Sequence, residues 1–150
     1  MLVCWPGTTR GGSVCDTPVI ATDFSPTLLE ACSLPAKPAQ HLDGVSLVPL
    51  LRGKQLSRGP LFWHYPHWGN QGGIPASAIR QGPWKLIRFY WKKPIELYHL
   101  VNDPEERHDL SLSQPEKVTE LSAKLDAYLQ ETDALLPSPN PASPKSFDTW

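Results

Sequence analysis

The sequence predicts an α/β chain of the α+β type: a small four-stranded antiparallel sheet packed on a C-terminal helix, preceded by a separate strand and helix. Three observations carry this. Residues 61–100 break into short aromatic, β-prone segments with short links, residues 115–132 repeat apolar side chains every 3.6 positions, and 17 of the 150 residues are proline. That proline content is roughly twice the usual ~5% and excludes a long helical bundle or coiled coil. Fourteen basic and fifteen acidic side chains give a net charge of −1, so no nucleic acid or anionic membrane is expected as a partner.

Residues 2–5 (Leu-Val-Cys-Trp) read as a short apolar strand stopped by Pro6-Gly7. A Gly-rich loop follows over 8–13. Ser25 is placed to cap a helix over 25–33, with Pro26 at its first position and Pro35 and Pro38 beyond its end. Residues 33–60 read mostly as connection, including the apolar stretch 45–51. Strands are expected at 61–65, 76–80, 84–90 and 95–100. The pair Gln81-Gly82 lies where a tight hairpin needs a residue tolerating positive φ, and Lys92-Lys93-Pro94 turns the third strand into the fourth. Links this short exclude parallel crossovers and define a meander. The helix from Pro115 to Thr132 presents Val118, Leu121, Leu125, Tyr128 and Leu129 on one stripe, and Glu120 with Lys124 forms an i,i+4 pair. The expected division is 1–58, 59–134, and a disordered Pro/Ser-rich tail over 135–150.

Little in the pattern announces chemistry. Cys4, Cys15 and Cys32 form no CxxC and leave one thiol over under any pairing, so neither a disulfide framework nor a zinc site is expected. Cys4 sits in an apolar segment rather than beside a cation or a helix start, which makes it structural. No P-loop, GxGxxG, HExxH or Ser/His/Asp arrangement occurs. The densest segment is residues 62–73, where His64 and His67 lie among aromatic residues and a Gly-rich exit. Pro66 forbids the helix that would make His64 and His67 a metal pair. Arg80, Lys85, Arg88, Lys92 and Lys93 form a basic run, but strand alternation sends Lys85 and Arg88 to opposite faces, as a solvated sheet balanced by the acidic 103–109 turn would require. There is no basic n-region, no long apolar h-region and no membrane-spanning run. As written, the chain carries no address for export and is expected in the cytoplasm.

A family resemblance adds what the residues alone do not. Trp5-Pro6-Gly7, Thr22-Asp23-Phe24-Ser25-Pro26-Thr27-Leu28-Leu29 and Leu42-Asp43-Gly44-Val45-Ser46-Leu47 are followed by the 61–67 segment. Then come Ala78-Ile79-Arg80, Trp84-Lys85-Leu86-Ile87, Glu96-Leu97-Tyr98, Asp103-Pro104-Glu105-Glu106 and Asp109-Leu110. In this order and spacing the chain resembles, over residues 2–132, the C-terminal portion of a type I (arylsulfatase-like) sulfatase. The resemblance implies that strand 2–5 and helix 25–33 are left over from a larger alkaline-phosphatase-like α/β domain. It implies sulfuric ester hydrolysis by a formylglycine formed from a cysteine in a Cys-x-Pro-x-Arg-type context, with Ca²⁺ orienting the sulfate. In the family these groups precede the Trp-Pro-Gly strand. Cys4 is followed four positions later by Thr8, not Arg, so no catalytic residue, metal ligand or cofactor is expected in this chain itself. His64 and His67 are the candidate substrate contacts.

The expected function is therefore the C-terminal part of a sulfatase, inactive alone, with an N-terminal sulfatase half as partner and a sulfate ester as the complete enzyme's substrate. Intact family members are commonly periplasmic, lysosomal or secreted. Two alternatives are a binding module for sulfated glycans and a complementing subunit of a split sulfatase. Large apolar residues of the leading segment, such as Leu2 and Leu28, are expected to lack their usual cover.

Overall fold

The computed structural model describes residues 1–69 and 72–138. They fold as two units, the first spanning Met1–Arg58 and the second beginning at Gly59. The tail expected over 135–150 lies outside the described residues from position 139 onward.

In the first unit a single 3₁₀ turn, Ala21–Asp23, leads into α1 (Phe24–Ala31), and a four-residue helix α2 follows at Val48–Leu51. The helix begins at Phe24, one residue before the expected Ser25 cap, continuing directly from the 3₁₀ turn, and the Ser25 hydroxyl lies 2.8 Å from His41 Nε2 instead. Its end is closed by Ser33 at φ +56°, which lets Leu34 N–H donate to the Leu29 carbonyl at 2.8 Å, a left-handed cap of the usual kind. The apolar stretch read as connection supplies α2 instead, and Leu47 and Val48 are buried.

Residues 2–5 differ from the sequence expectation, since they belong to no sheet. The Trp5 carbonyl accepts Thr8 N–H at 3.0 Å and Thr9 N–H at 2.9 Å, and Trp5 N–H donates to Thr9 Oγ1 at 2.9 Å. A turn therefore starts where the strand was expected to end. A strand is defined by its ladder partner, and the segment has none among the described residues.

The polar centre of this unit is Asp23. Oδ2 accepts Ile20 N–H at 2.9 Å and Arg58 Nη1 at 2.7 Å. Oδ1 accepts Val45 N–H at 3.0 Å and Arg58 Nη2 at 3.2 Å. Thr27 Oγ1 donates to the Asp23 carbonyl at 2.6 Å and accepts Leu47 N–H at 2.9 Å. Gly44 is required here, because a Cβ at that position would stand 2.2 Å from the Thr22 carbonyl oxygen.

In the second unit β1 (Leu61–Tyr65), β2 (Ala76–Gln81), β3 (Trp84–Phe89) and β4 (Glu96–His99) form an antiparallel meander in sequence order. Gln81 pairs with Trp84 across the two-residue turn Gly82-Pro83, with Gly82 at φ +57°. Glycine followed by a residue of fixed negative φ is what such a hairpin needs. Register stacks Phe62, Ile79, Leu86 and Leu97 across one face. There α3 (Pro115–Glu131) lays Leu121, Leu125 and Leu129, and Phe62 stacks on Tyr128 at 4.1 Å between ring centres. Lys117 and Lys124 both reach Glu120, at 2.5 and 2.6 Å, and together draw its carboxyl down to about 2.

The acidic turn after β4 is scaffolding. Asp109 Oδ1 accepts Leu97 N–H at 3.0 Å and Ser111 N–H at 2.8 Å, while Oδ2 accepts the Ser111 hydroxyl at 2.9 Å. Glu106 pairs with Lys85 at 2.7 Å, and Asp103 accepts His108 N–H at 2.8 Å. No helix is long and apolar enough to cross a membrane among the described residues.

Candidate functional site

The end of the meander where β1 stops and β2 begins gathers the aromatic segment. Tyr65 pairs with Ala76, and Ala76 with Phe89, so the β1–β2 and β3–β4 loops leave from one edge. Tyr90 N–H donates to the Pro75 carbonyl at 2.9 Å and holds the two loops together.

Strand alternation sends His64 and Tyr65 to opposite faces. His64 lies on the α3 face. Its Nδ1 is 2.7 Å from Ser77 Oγ, its Nε2 is 3.0 Å from the Leu135 carbonyl, and Ser77 Oγ is 2.6 Å from the Tyr90 hydroxyl. A carbonyl only accepts, so in the neutral ring Nε2 carries the hydrogen, Nδ1 accepts from Ser77, and Ser77 accepts from Tyr90. Ser77 is 1% exposed, and this chain of bonds uses both ring nitrogens. His67 is exposed and stands edge-on to Tyr65, with ring centres 5.6 Å apart. The structure therefore does not bring His64 and His67 to a common point.

What it does bring together is a pair that the sequence reading left apart. Trp68 of the β1–β2 loop meets Trp91 of the β3–β4 loop edge-to-face, with centroids 6.1 Å apart and planes at 74°. Lys92 Nζ lies 5.6 Å from the Trp91 ring centre. The signal for Trp91 was the hairpin register, which aligns the two loops across 23 residues of sequence.

The basic run is divided among partners. Lys85 pairs with Glu106, Arg88 with Asp126, and Lys93 with Glu96 at 2.7 Å while lying over Phe89 at 4.1 Å. Lys85 and Arg88 occupy opposite faces. Buried Tyr98 has its hydroxyl pushed up to about 12 by desolvation and by neighbouring Glu96.

The donor sets do not suit the calcium that the family implies. Among the described residues no three His, Cys, Asp or Glu side chains converge as a metal cage. The best-placed carboxylates are already saturated, Asp23 by a guanidinium and two amides and Asp109 by two amides and a hydroxyl. A hard cation would have to displace these donors. Cys4 is an exposed thiol at the edge of an apolar groove of about 360 Å³ lined by Val3, Trp5, Phe24, Leu28 and Leu47.

A four-stranded meander covered on one face by a C-terminal helix, after a short helical lead, is the architecture of a sulfatase C-terminal portion. The family model for the C-terminal region of N-sulphoglucosamine sulphohydrolase matches residues 1–134, and the chain belongs to that family. A sulfatase of Formosa agariphila is 32% identical over 146 residues, covering 87% of this chain and 26% of that protein. Arylsulfatase K of Gallus gallus is 30% identical over 129 residues, covering 81% and 24%. Among solved structures, Ps i-CgsB aligns with a TM-score of 0.70 at 25% identity, over 83% of this chain and 27% of its own. A structure in complex with D-glucosamine-2-N,6-O-disulfate aligns with a TM-score of 0.62 at 26% identity, over 75% and 24%. The chain thus spans about a quarter of the length of these relatives.

Proposed function

We propose that this chain serves as the C-terminal portion of a sulfatase that hydrolyses sulfate esters of saccharides, and that it works only with an N-terminal portion supplying the nucleophile and the cation ligands. The observation that carries the reading is the match over residues 1–134 to a C-terminal sulfatase model. Saccharides are favoured because one similar structure holds a disulfated glucosamine and another holds a neocarrahexaose. The saturated carboxylates and the Thr8 that follows Cys4 in place of an arginine support inactivity of the chain alone. The family's calcium and formylglycine would then belong to the N-terminal portion.

In this reading the β1–β2 loop contributes substrate contacts through exposed His67 beside Tyr65, while His64 shapes the loop's root from the α3 face. Complementation tests it. The chain is mixed with the N-terminal portion of the Formosa agariphila sulfatase, cut before the segment equivalent to Met1, and sulfate release from disulfated glucosamine is measured. The expected result is turnover from the mixture and none from either part. No turnover from the mixture, with the intact relative active, contradicts the proposal.

A further inference from the structure

We propose that the sheet face turned away from α3, at Trp63, Ala78, Arg80 and Ile87, docks the N-terminal portion of the sulfatase, and that Arg80 there meets a carboxylate supplied by that portion. The inference rests on the reading above and goes further in naming the surface and the charge its partner carries. Register builds this face row by row. Phe62, Ile79, Leu86 and Leu97 turn toward α3, so strand alternation turns their neighbours the other way. Leu61, Arg80, Lys85 and Tyr98 form one row, and Trp63, Ala78, Ile87 and Glu96 form the next.

Lys85 donates to both oxygens of Glu106, at 2.7 and 2.8 Å, and Arg88 pairs with Asp126 on the α3 face. Arg80 differs. Among the described residues its side chain makes no hydrogen bond or ion pair, and its Nε is buried without a partner. Glu96, the carboxylate of the next row, is taken by Lys93 at 2.7 Å. A half-buried guanidinium beside a second cation is costly until an anion from elsewhere completes it. The strip next to Arg80 is apolar: Trp63 is 45% exposed, and Ala78, the smallest side chain of its row, leaves room between Trp63 and Ile87. An indole left in water forgoes the burial an interface would give it. An apolar strip edged by an unpaired cation suits a protein surface carrying a carboxylate. The partner follows from length, since this chain spans only 26% and 27% of two of its relatives. A substrate sulfate is disfavoured as the anion, because Arg80 lies four residues, about 13 Å, along β2 from Ala76 at the sheet end that carries His67. Seated on Trp63, the N-terminal portion borders Tyr65, two residues further along the same face, and so stands against the His67 loop.

The test compares the 150-residue chain with a joined protein, the Formosa agariphila sulfatase in which this chain replaces the matching C-terminal quarter. Hydroxyl-radical oxidation of the Trp63 side chain is read by mass spectrometry. It is expected to be slower in the joined protein by about threefold or more, as a half-exposed indole becomes part of an interface core. Arg80→Met is expected to leave the thermal transition of the chain alone unchanged or raised, because the cation has no partner there. In the joined protein the same substitution should lower the transition. Isothermal titration of the chain alone with inorganic sulfate should show no saturable binding.

A joined protein that releases sulfate from disulfated glucosamine while Trp63 oxidises as fast as in the chain alone sinks this inference and leaves the sulfatase reading standing. An equal effect of Arg80→Met on the two proteins, or a lowered transition in the chain alone, also overturns it. Saturable sulfate binding that is lost in Arg80→Met assigns Arg80 to a small anion, and the inference falls. Protection of Trp63 without sulfate release supports the docking face and counts against the sulfatase reading. Neither protection nor release overturns both.

Discussion

Asp23 and Arg58 form a two-pronged ion pair, 2.7 and 3.2 Å, in which the carboxylate is fully buried and the guanidinium nearly so. The pair ties residue 58 to the 3₁₀ turn, and through Val45 N–H it draws the intervening loop to the same point. Removing one partner leaves the other charge buried and uncompensated, which costs about 3–5 kcal/mol. Asp23→Ala is therefore expected to unfold the first unit selectively. Hydrogen exchange at the Ile20 and Val45 amides reads this out, and retained protection at both would contradict it.

The same carboxylate gives a pH dependence. Burial alone would raise the Asp23 pKa, but the Arg58 guanidinium and the Val45 and Ile20 amides outweigh it and hold the carboxyl below the usual carboxylate range. A group depressed in the folded state contributes stability that is complete above its unfolded value, about 3.9, and is lost as pH falls through its folded value. Exchange of the Val45 amide should accelerate below about pH 4 in the native chain, and this acid-triggered step should vanish in Asp23→Asn.

In the second unit the core prediction concerns Leu125, which is fully buried between the sheet and α3. Leu125→Ala should cost about 2–5 kcal/mol in urea unfolding. Leu112→Ala, at a fully exposed site, should change stability by about 0.5 kcal/mol or less. Equal effects would show that the sheet and helix do not share this core.

The Asp109 carboxylate ties the chain after β4 back to the start of that strand through Leu97 N–H and Ser111 N–H. Asp109→Ala strands these donors and is expected to cost about 1–3 kcal/mol, with faster exchange at Leu97. An unchanged Leu97 amide would place the acidic turn outside the scaffold.

Ser77 bridges His64 and Tyr90. Nitrogen NMR of the native chain should show His64 as the Nε2–H tautomer when neutral. Ser77→Ala should leave the Nε2–H tautomer in place, because the Leu135 carbonyl fixes it, and should destabilise the unit by about 1–3 kcal/mol by stranding the Tyr90 hydroxyl. A native His64 carrying its hydrogen on Nδ1 would contradict the network.

The second unit was legible in the sequence because its signals are local. Gly82 marks the hairpin (with Pro83 rather than Gln81 as its turn partner), the short links force antiparallel order, and the leucines of α3 keep their period. The first unit was less so, because its order comes from distant partners. Nothing in residues 18–58 taken one at a time announces that Asp23 and Arg58 meet, and α2 has only four residues to signal itself. The strand expected over 2–5 required a neighbour that its composition cannot supply. At the site, His64 and His67 were named as candidate contacts from their aromatic surroundings, which do not announce that His64 bonds Ser77 while His67 stands against Tyr65. The Trp68–Trp91 corner emerges only once the register of three strands is known. The resemblance to sulfatases, carried by order and spacing over residues 2–132, located the chain within its family where individual residues did not.

Sulfate release by the purified 150-residue chain from an aryl sulfate in the presence of Ca²⁺ tests the central claim most directly. The account predicts no release above the buffer rate, with or without Cys4→Ala. Turnover that requires Ca²⁺ and disappears in Cys4→Ala would place a complete catalytic centre within this chain and contradict it.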